Sequence, residues 1–328
     1  MSEIKNQNEE LIVEEVVAET ATEETAVIPT QPNVLEIDIE KAKKSQKVWK
    51  IVSKVAAYAF ITLFALFALL PFYWMLISSV KTDIEYRLEN PTFFPKEIMW
   101  ENYSIVFKDE DGLFTKTLLN TLVVGFSSTF IGLIITVITA FAFAKMEFKG
   151  KNLLFTLMLA TMMIPGELFT TTNYITVNKL GWPKTYVVMI VPFLVSTFYV
   201  YLLRNTFMQV PDSLYRAAKV DGCGDMKYLI KVMVPLAAPT IISITLLKFI
   251  GTWNSYIWPR LVNSGAEDWM LLSNWVSKGF TYPNLTTSET APTLKMAAAT
   301  LVSLPLLVVF ICFRKYIMRG VSKSGTKG

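Results

Sequence analysis

The chain has 328 residues, 52% of them hydrophobic and only 18% charged, with a mean hydropathy of +0.41; it is too apolar for an ordinary soluble domain and has room for several membrane spans. The net charge of +4 is small for the length, and no basic cluster with interleaved aromatics marks a nucleic-acid surface. Histidine is absent, which removes the commonest metal ligand and the usual general base and argues against a membrane metalloprotease or a histidine-based hydrolase.

Residues 1–40 are acid-rich, with Glu9, Glu10, Glu14, Glu15, Glu23 and Glu24 against a single base, Lys5, and with Pro29 and Pro32 near the end. They read as a disordered cytoplasmic tail, and no basic stretch leads into an apolar core as a signal peptide requires. A basic juxtamembrane segment, 41–54, follows with Lys41, Lys43, Lys44, Lys47, Lys50 and Lys54. It places the amino terminus in the cytoplasm. The first apolar run, 55–80, ends PFYWMLISSVKT, with Phe72, Tyr73 and Trp74 as an interfacial belt and Pro71 as a kink point. The mixed-charge segment 82–116 lies outside and contains the phrase WENYSIVF at 100–107.

Further spans are expected at 118–144, where Gly125 and Gly132 permit close packing, and at 153–177, broken by Ile164-Pro165-Gly166. Others follow at 186–203, with Pro192 inside, at 236–258 and at 296–313. The short loops carrying Lys145, Lys149 and Lys151, and the terminal run Arg314, Lys315, Arg319, Lys323 and Lys327, are the basic ones. Both termini are therefore inside, as are Cys223 and Cys312, so no disulfide framework is expected. The expected fold class is all-α: a polytopic membrane protein with six transmembrane helices over 55–318 and a cytoplasmic tail at 319–328.

Residues 210–239 carry seven charges, Asp212, Arg216, Lys219, Asp221, Asp225, Lys227 and Lys231, between two apolar segments. They must form an ordered loop in water. Pro211 and Asp212 can start a short helix with a small apolar face of Leu214, Ala217, Ala218 and Val220, and Gly222 ends it. Asp225 can cap a second helix, 226–234, that Pro235 closes.

Lys248 stands near the middle of the fifth span, where a lysine costs roughly 2.5–3.5 kcal/mol unless paired or wet. Two readings stand: a place beside a translocation path, touching hydroxyls or an anionic group of a substrate, or a structural pair with Glu167 or with a partner subunit. Glu167, next to Pro165-Gly166, points to a water-lined face. Trp253 and Asn254 offer an aromatic plate and an amide suited to a sugar ring, although a tryptophan at this depth also serves as a belt residue. No phosphate-binding GxxxxGK[ST] run is present, and no nucleophile–base pair or metal cluster stands out, so the chain is not expected to be an enzyme or to bind a metal.

The loop 210–239 resembles the EAA loop of ABC importer permeases through Pro211, Ala217, Ala218, Asp221, Gly222, Pro235 and Pro239. It departs from the pattern at Arg216, where an acid usually precedes the alanines. The first-span ending, WENYSIVF, the phrase LLKFIGTWNSYIWP at 246–259 and the closing YIMRGVSKSGTKG are similar to maltose-type carbohydrate permeases, and the likeness covers nearly the whole chain after residue 49. The resemblance implies the type I importer permease fold and a coupling helix at 212–220, with Leu214, Arg216, Ala217, Ala218, Asp221 and Gly222 facing or shaping the contact with an ATPase. It implies as partners a second permease, two cytoplasmic ATPase subunits that bind the ATP, an extracellular solute-binding protein and a sugar; no cofactor is expected on this chain, and its place is the cytoplasmic membrane. Rival readings are an importer of the same architecture for a sugar acid or phosphodiester, an ion-coupled secondary transporter using Lys248 and Glu167, and a membrane scaffold.

Overall fold

The computed structural model describes residues 34–108, 112–282 and 290–322, with side chains left out at 34–44 and 316–322. Most of the acidic tail and the last six residues lie outside that range. Among the described residues the secondary structure is helical, without strands. Internal contacts divide the chain into two units, Met1–Leu70 and Pro71–Gly328.

The first unit is dominated by helix α1, Val34–Ser79, which continues through Pro71 into the second. Its backbone turns helical earlier than the sequence suggests, because no proline or glycine interrupts 34–70. The described side chains of 45–70 are exposed, and the apolar stretch Ser45–Ser79 is long enough to cross a bilayer.

In the second unit α2, Glu101–Phe107, precedes the long α3, Leu113–Lys145. Then come α4, Lys151–Ala160, α5, Thr170–Lys179, α6, Tyr186–Ile190, α7, Thr197–Met208, α8, Asp212–Val220, α9, Asp225–Tyr228, and α10, Ala238–Trp253. The unit ends with α11, Ile257–Val262, α12, Leu272–Val276, and α13, Pro292–Ser322. Helix α3 packs along α7 and α10, and α10 packs on α13.

Among the described residues three helices are long and apolar enough to span a membrane, and the number rises to six if each of three bent pairs is one span. The bends have identifiable causes. The pair Lys151–Met163 and Gly166–Lys179 meets at 88°, where Ile164 is forced into extended backbone by the proline after it. The pair Tyr186–Phe193 and Thr197–Met208 bends by 45° just after Pro192, which cannot donate a helix hydrogen bond.

The third bend corrects an expectation. The second loop helix does not stop at Pro235 but runs from Asp225 to Leu236 and turns by 83° into α10. A π-helical turn, Leu229–Met233, precedes the proline; its wider coil accommodates a ring that would otherwise meet the preceding turn.

At one end Val106, Phe114, Trp253, Trp275 and Leu294 form one buried cluster. Beside it Asn102 donates to Ser79 O and Lys81 O, and Glu85 accepts from Thr92 and from the Lys96 amide. The opposite end is held by Phe141, Leu203, Phe207, Tyr228 and Met233.

Candidate cytoplasmic knob and membrane cavity

Helix α8 has the bounds that its punctuation dictates. Pro211, at φ −59° and ψ 137°, sits just before it, and Gly222 follows at φ +72°, a left-handed conformation that glycine adopts without strain. At that end the Gly222 amide donates to Lys219 O (3.1 Å) and the Cys223 amide to Ala218 O (2.8 Å). These two bonds make a Schellman closure, which turns the chain sharply into α9.

The apolar face expected on α8 is split between two sides. Ala218, Tyr215 and Cys223 pack inward on the cluster of Phe141, Phe207 and Tyr228, with Tyr215 and Tyr228 rings 5.1 Å apart. Leu214, Arg216, Ala217 and Asp221 are exposed, and Val220 is 87% exposed. An apolar stripe thus faces away from the body of the chain.

Two charged ties fix the knob, and neither acid caps its helix as expected. Asp212 is the first residue of α8, and its carboxylate accepts from Lys145 at 2.5 Å, while Lys145 also donates to Val210 O at 2.6 Å. The Lys145 side chain is 2% exposed. The last residue of α3 therefore grips the first turn of α8. Asp225 accepts from Tyr215 Oη at 2.6 Å and Lys219 Nζ at 2.6 Å, bridging the two arms of the knob. The hydrogen bond and charge of Lys145 hold the Asp212 carboxyl below the usual range, and those of Lys219, with the Tyr215 bond, do the same for Asp225.

Within the membrane-spanning part, Lys248 is buried, at 6% exposure. It is paired with no carboxylate among the described residues and donates to Phe193 O at 2.9 Å and Leu194 O at 3.0 Å. These carbonyls lie where the helix breaks after Pro192, at a helix end whose last carbonyls have no donor within the helix. Gly132 gives the lysine its slot: a Cβ built there would lie 2.5 Å from Leu194 O. Lys248 also lines a cavity of about 420 Å³ with Ser128, Ser196, Tyr199, Thr252 and Trp258.

The other residues expected on a substrate path stand elsewhere. Glu167 is exposed in the turn Gly166–Phe169. Trp253 is 2% exposed and lines a different, wholly apolar groove with Phe126, Phe249 and Leu306. Asn254 is exposed at the end of α10. Helix rotation accounts for this: at about 100° per residue, Trp253 points roughly 140° away from Lys248, whereas Thr252 points within about 40°. The polar stripe Lys248, Thr252, Ser255 was readable in the sequence by that arithmetic. Lys145 was not distinguishable there from an ordinary loop lysine.

The description "binding-protein-dependent transport system inner membrane component" matches residues 128–323. The chain is 28% identical to the arabinooligosaccharides transport system permease protein AraQ of Bacillus subtilis, covering 84% of this chain and 97% of that one. It is 27% identical to the diacetylchitobiose uptake system permease protein NgcG of Streptomyces coelicolor, over 81% of this chain and 87% of that one. A crystal structure of a bacterial ABC transporter involved in importing the acidic polysaccharide alginate contains a chain that superposes with a TM-score of 0.71 at 26% identity, covering 83% of this chain and 97% of that one.

Proposed function

The chain belongs to the family of binding-protein-dependent transport system inner membrane components, and from that footing we propose that it is the membrane-spanning permease subunit of an ABC importer that carries sugars or oligosaccharides into the cell by alternating access. The single observation that carries this reading is the knob: a rigid pair of short helices with an exposed stripe of Leu214, Ala217 and Val220, clasped to a long span through Lys145.

In this reading the stripe docks on a separate cytoplasmic ATPase subunit that binds the ATP, with no cofactor on this chain. A second permease completes the path, and an extracellular binding protein delivers the sugar. Closure of the ATPase pair draws α8 with it, and the Asp212–Lys145 clasp passes the movement to α3. Ser128, on the cavity wall, lies 17 residues along that helix from Lys145, a lever of about 25 Å. The exposed Arg216 calls for a complementary acid on the ATPase. In this reading both termini lie in the cytoplasm, which the basic short loops support. An ion-coupled carrier in which Lys248 and Glu167 act together loses its support, since Lys248 is held by the carbonyls of Phe193 and Leu194 while Glu167 is exposed in a separate turn.

The test is purification of the tagged chain from its native membrane. An ATPase subunit should accompany it, and hydrolysis should rise on adding sugar-loaded binding protein and fall to the basal rate with Ala217→Trp in the exposed stripe. Isolation without any ATPase would overturn the reading.

A further inference from the structure

We propose that the cargo of this permease is an acidic saccharide, one bearing carboxylate groups, and that Lys248 is the residue that receives its charge. The inference rests on the sugar-importer reading above and adds the chemical class of the sugar.

Three observations point the same way. The first is an ammonium group with capacity to spare. Lys248 has three N–H donors, of which Phe193 O and Leu194 O take two. No acidic residue lines its cavity, and no carboxylate pairs with it among the described residues. The two carbonyls it holds end the Tyr186–Phe193 helical segment, the end that favours a cation. A serine or threonine hydroxyl could satisfy a freed carbonyl without burying a charge, so closing the helix break does not by itself call for a lysine. A buried cation without a counter-charge is stabilised by an anion that enters the cavity.

The second is the rest of the lining. Ser196, Tyr199 and Trp258 all line the cavity, and no hydrogen bond ties the Ser196 or Tyr199 hydroxyl to other described residues. Hydroxyl partners and an aromatic face suit a sugar ring, while the lysine suits a carboxylate on it.

The third lies further out. A second cavity, of about 510 Å³, shares Pro259 with the first and is lined by Arg260, Lys278, Asn274 and Glu267. Its one acid, Glu267, is tied to Lys278 at 3.1 Å, so Arg260, which donates to Tyr256 Oη and lies over its ring, has no carboxylate partner among the described residues. Asn274 is 6% exposed, its amide nitrogen donates to Tyr256 O at 2.9 Å, and its Oδ1 is buried without a donor. Along α10 and α11, then, a cation lines each of two cavities that share Pro259.

The deciding experiment uses the complete transporter, reconstituted in liposomes with its binding protein, and a matched pair of probes: trigalacturonate and its trimethyl ester, which share one sugar skeleton, the ester carrying methyl groups in place of the three negative charges. Saccharide binding to the detergent-purified complex without the binding protein is measured alongside uptake. The acid should be imported and bound, the ester at least about tenfold less well; Lys248→Gln should remove that preference and Lys248→Arg should keep it. Equal handling of acid and ester by the wild type overturns the inference, and that comparison stands even if the Gln variant fails to assemble. A Lys248→Gln complex that folds and still prefers the acid also overturns it. Import of neutral oligosaccharides alone would sink this inference and leave the importer reading intact, whereas no saccharide import of any kind would sink both.

Discussion

Lys145 and Asp212 form an asymmetric pair, and the asymmetry fixes what each substitution does. The lysine side chain is 2% exposed and the aspartate side chain 68%. Removing Asp212 leaves a buried ammonium with Val210 O as its remaining partner, at a cost of about 1–3 kcal/mol or more. Removing the lysine leaves a carboxylate that water can reach. Asp212→Ala should therefore lower the thermal midpoint of the purified complex further than Lys145→Met does; the reverse order would mean that the pair is not buried as described. The Asp225 ties have a pH signature. Its carboxyl is depressed below the ordinary 3.8, so the stabilisation it contributes is fully present above that value and lost only as pH falls through the lower, folded one. Lys219 is raised above 10.5 by the same bond, and its contribution is lost only as pH rises through that higher value. Hydrogen exchange of the α8 amides, corrected for intrinsic rates, should show unchanged protection between pH 5 and 9, and Asp225→Asn should reduce protection across that whole window.

At the scale of elements, the knob was the most legible part of the chain. Pro211 and Gly222 punctuate α8 so strongly that its bounds, Asp212–Val220, follow from local rules alone. What those rules could not supply was rotation: which of two neighbouring alanines turns in depends on Phe141 and Phe207, which come from distant helices. The same gap misplaced Trp253 and Asn254, grouped with Lys248 by nearness in sequence although α10 carries Trp253 into a different groove. Pro235 was read as a stop because a π turn leaves no composition signal. The exposed stripe carries its own prediction. A cysteine placed at Val220, with Cys223 and Cys312 replaced, should react rapidly with a water-soluble maleimide in the permease pair alone and at least about tenfold more slowly in the complex with its ATPase. Equal rates in the two would remove the stripe from the docking surface.

At the scale of the whole molecule, hydropathy was enough for the all-helical membrane class and for six apolar segments, three of which are single long helices and three bent pairs, because length and apolarity set such segments irrespective of their partners. The line of force was not readable, since it is made of tertiary contacts. In the proposed mechanism it runs from α8 through the Asp212–Lys145 clasp into α3, and ends at the wall where Ser128 and Thr252 hydroxyls stand 3.3 Å apart. The most direct test is the number of sugars imported per ATP hydrolysed by the reconstituted transporter carrying Lys145→Met. With the clasp released, hydrolysis stimulated by the loaded binding protein should persist within about twofold while import falls at least about tenfold, so that the two processes separate. If import and hydrolysis both stay at wild-type levels, or fall together in proportion, the clasp is not what carries the motion from the knob to the cavity.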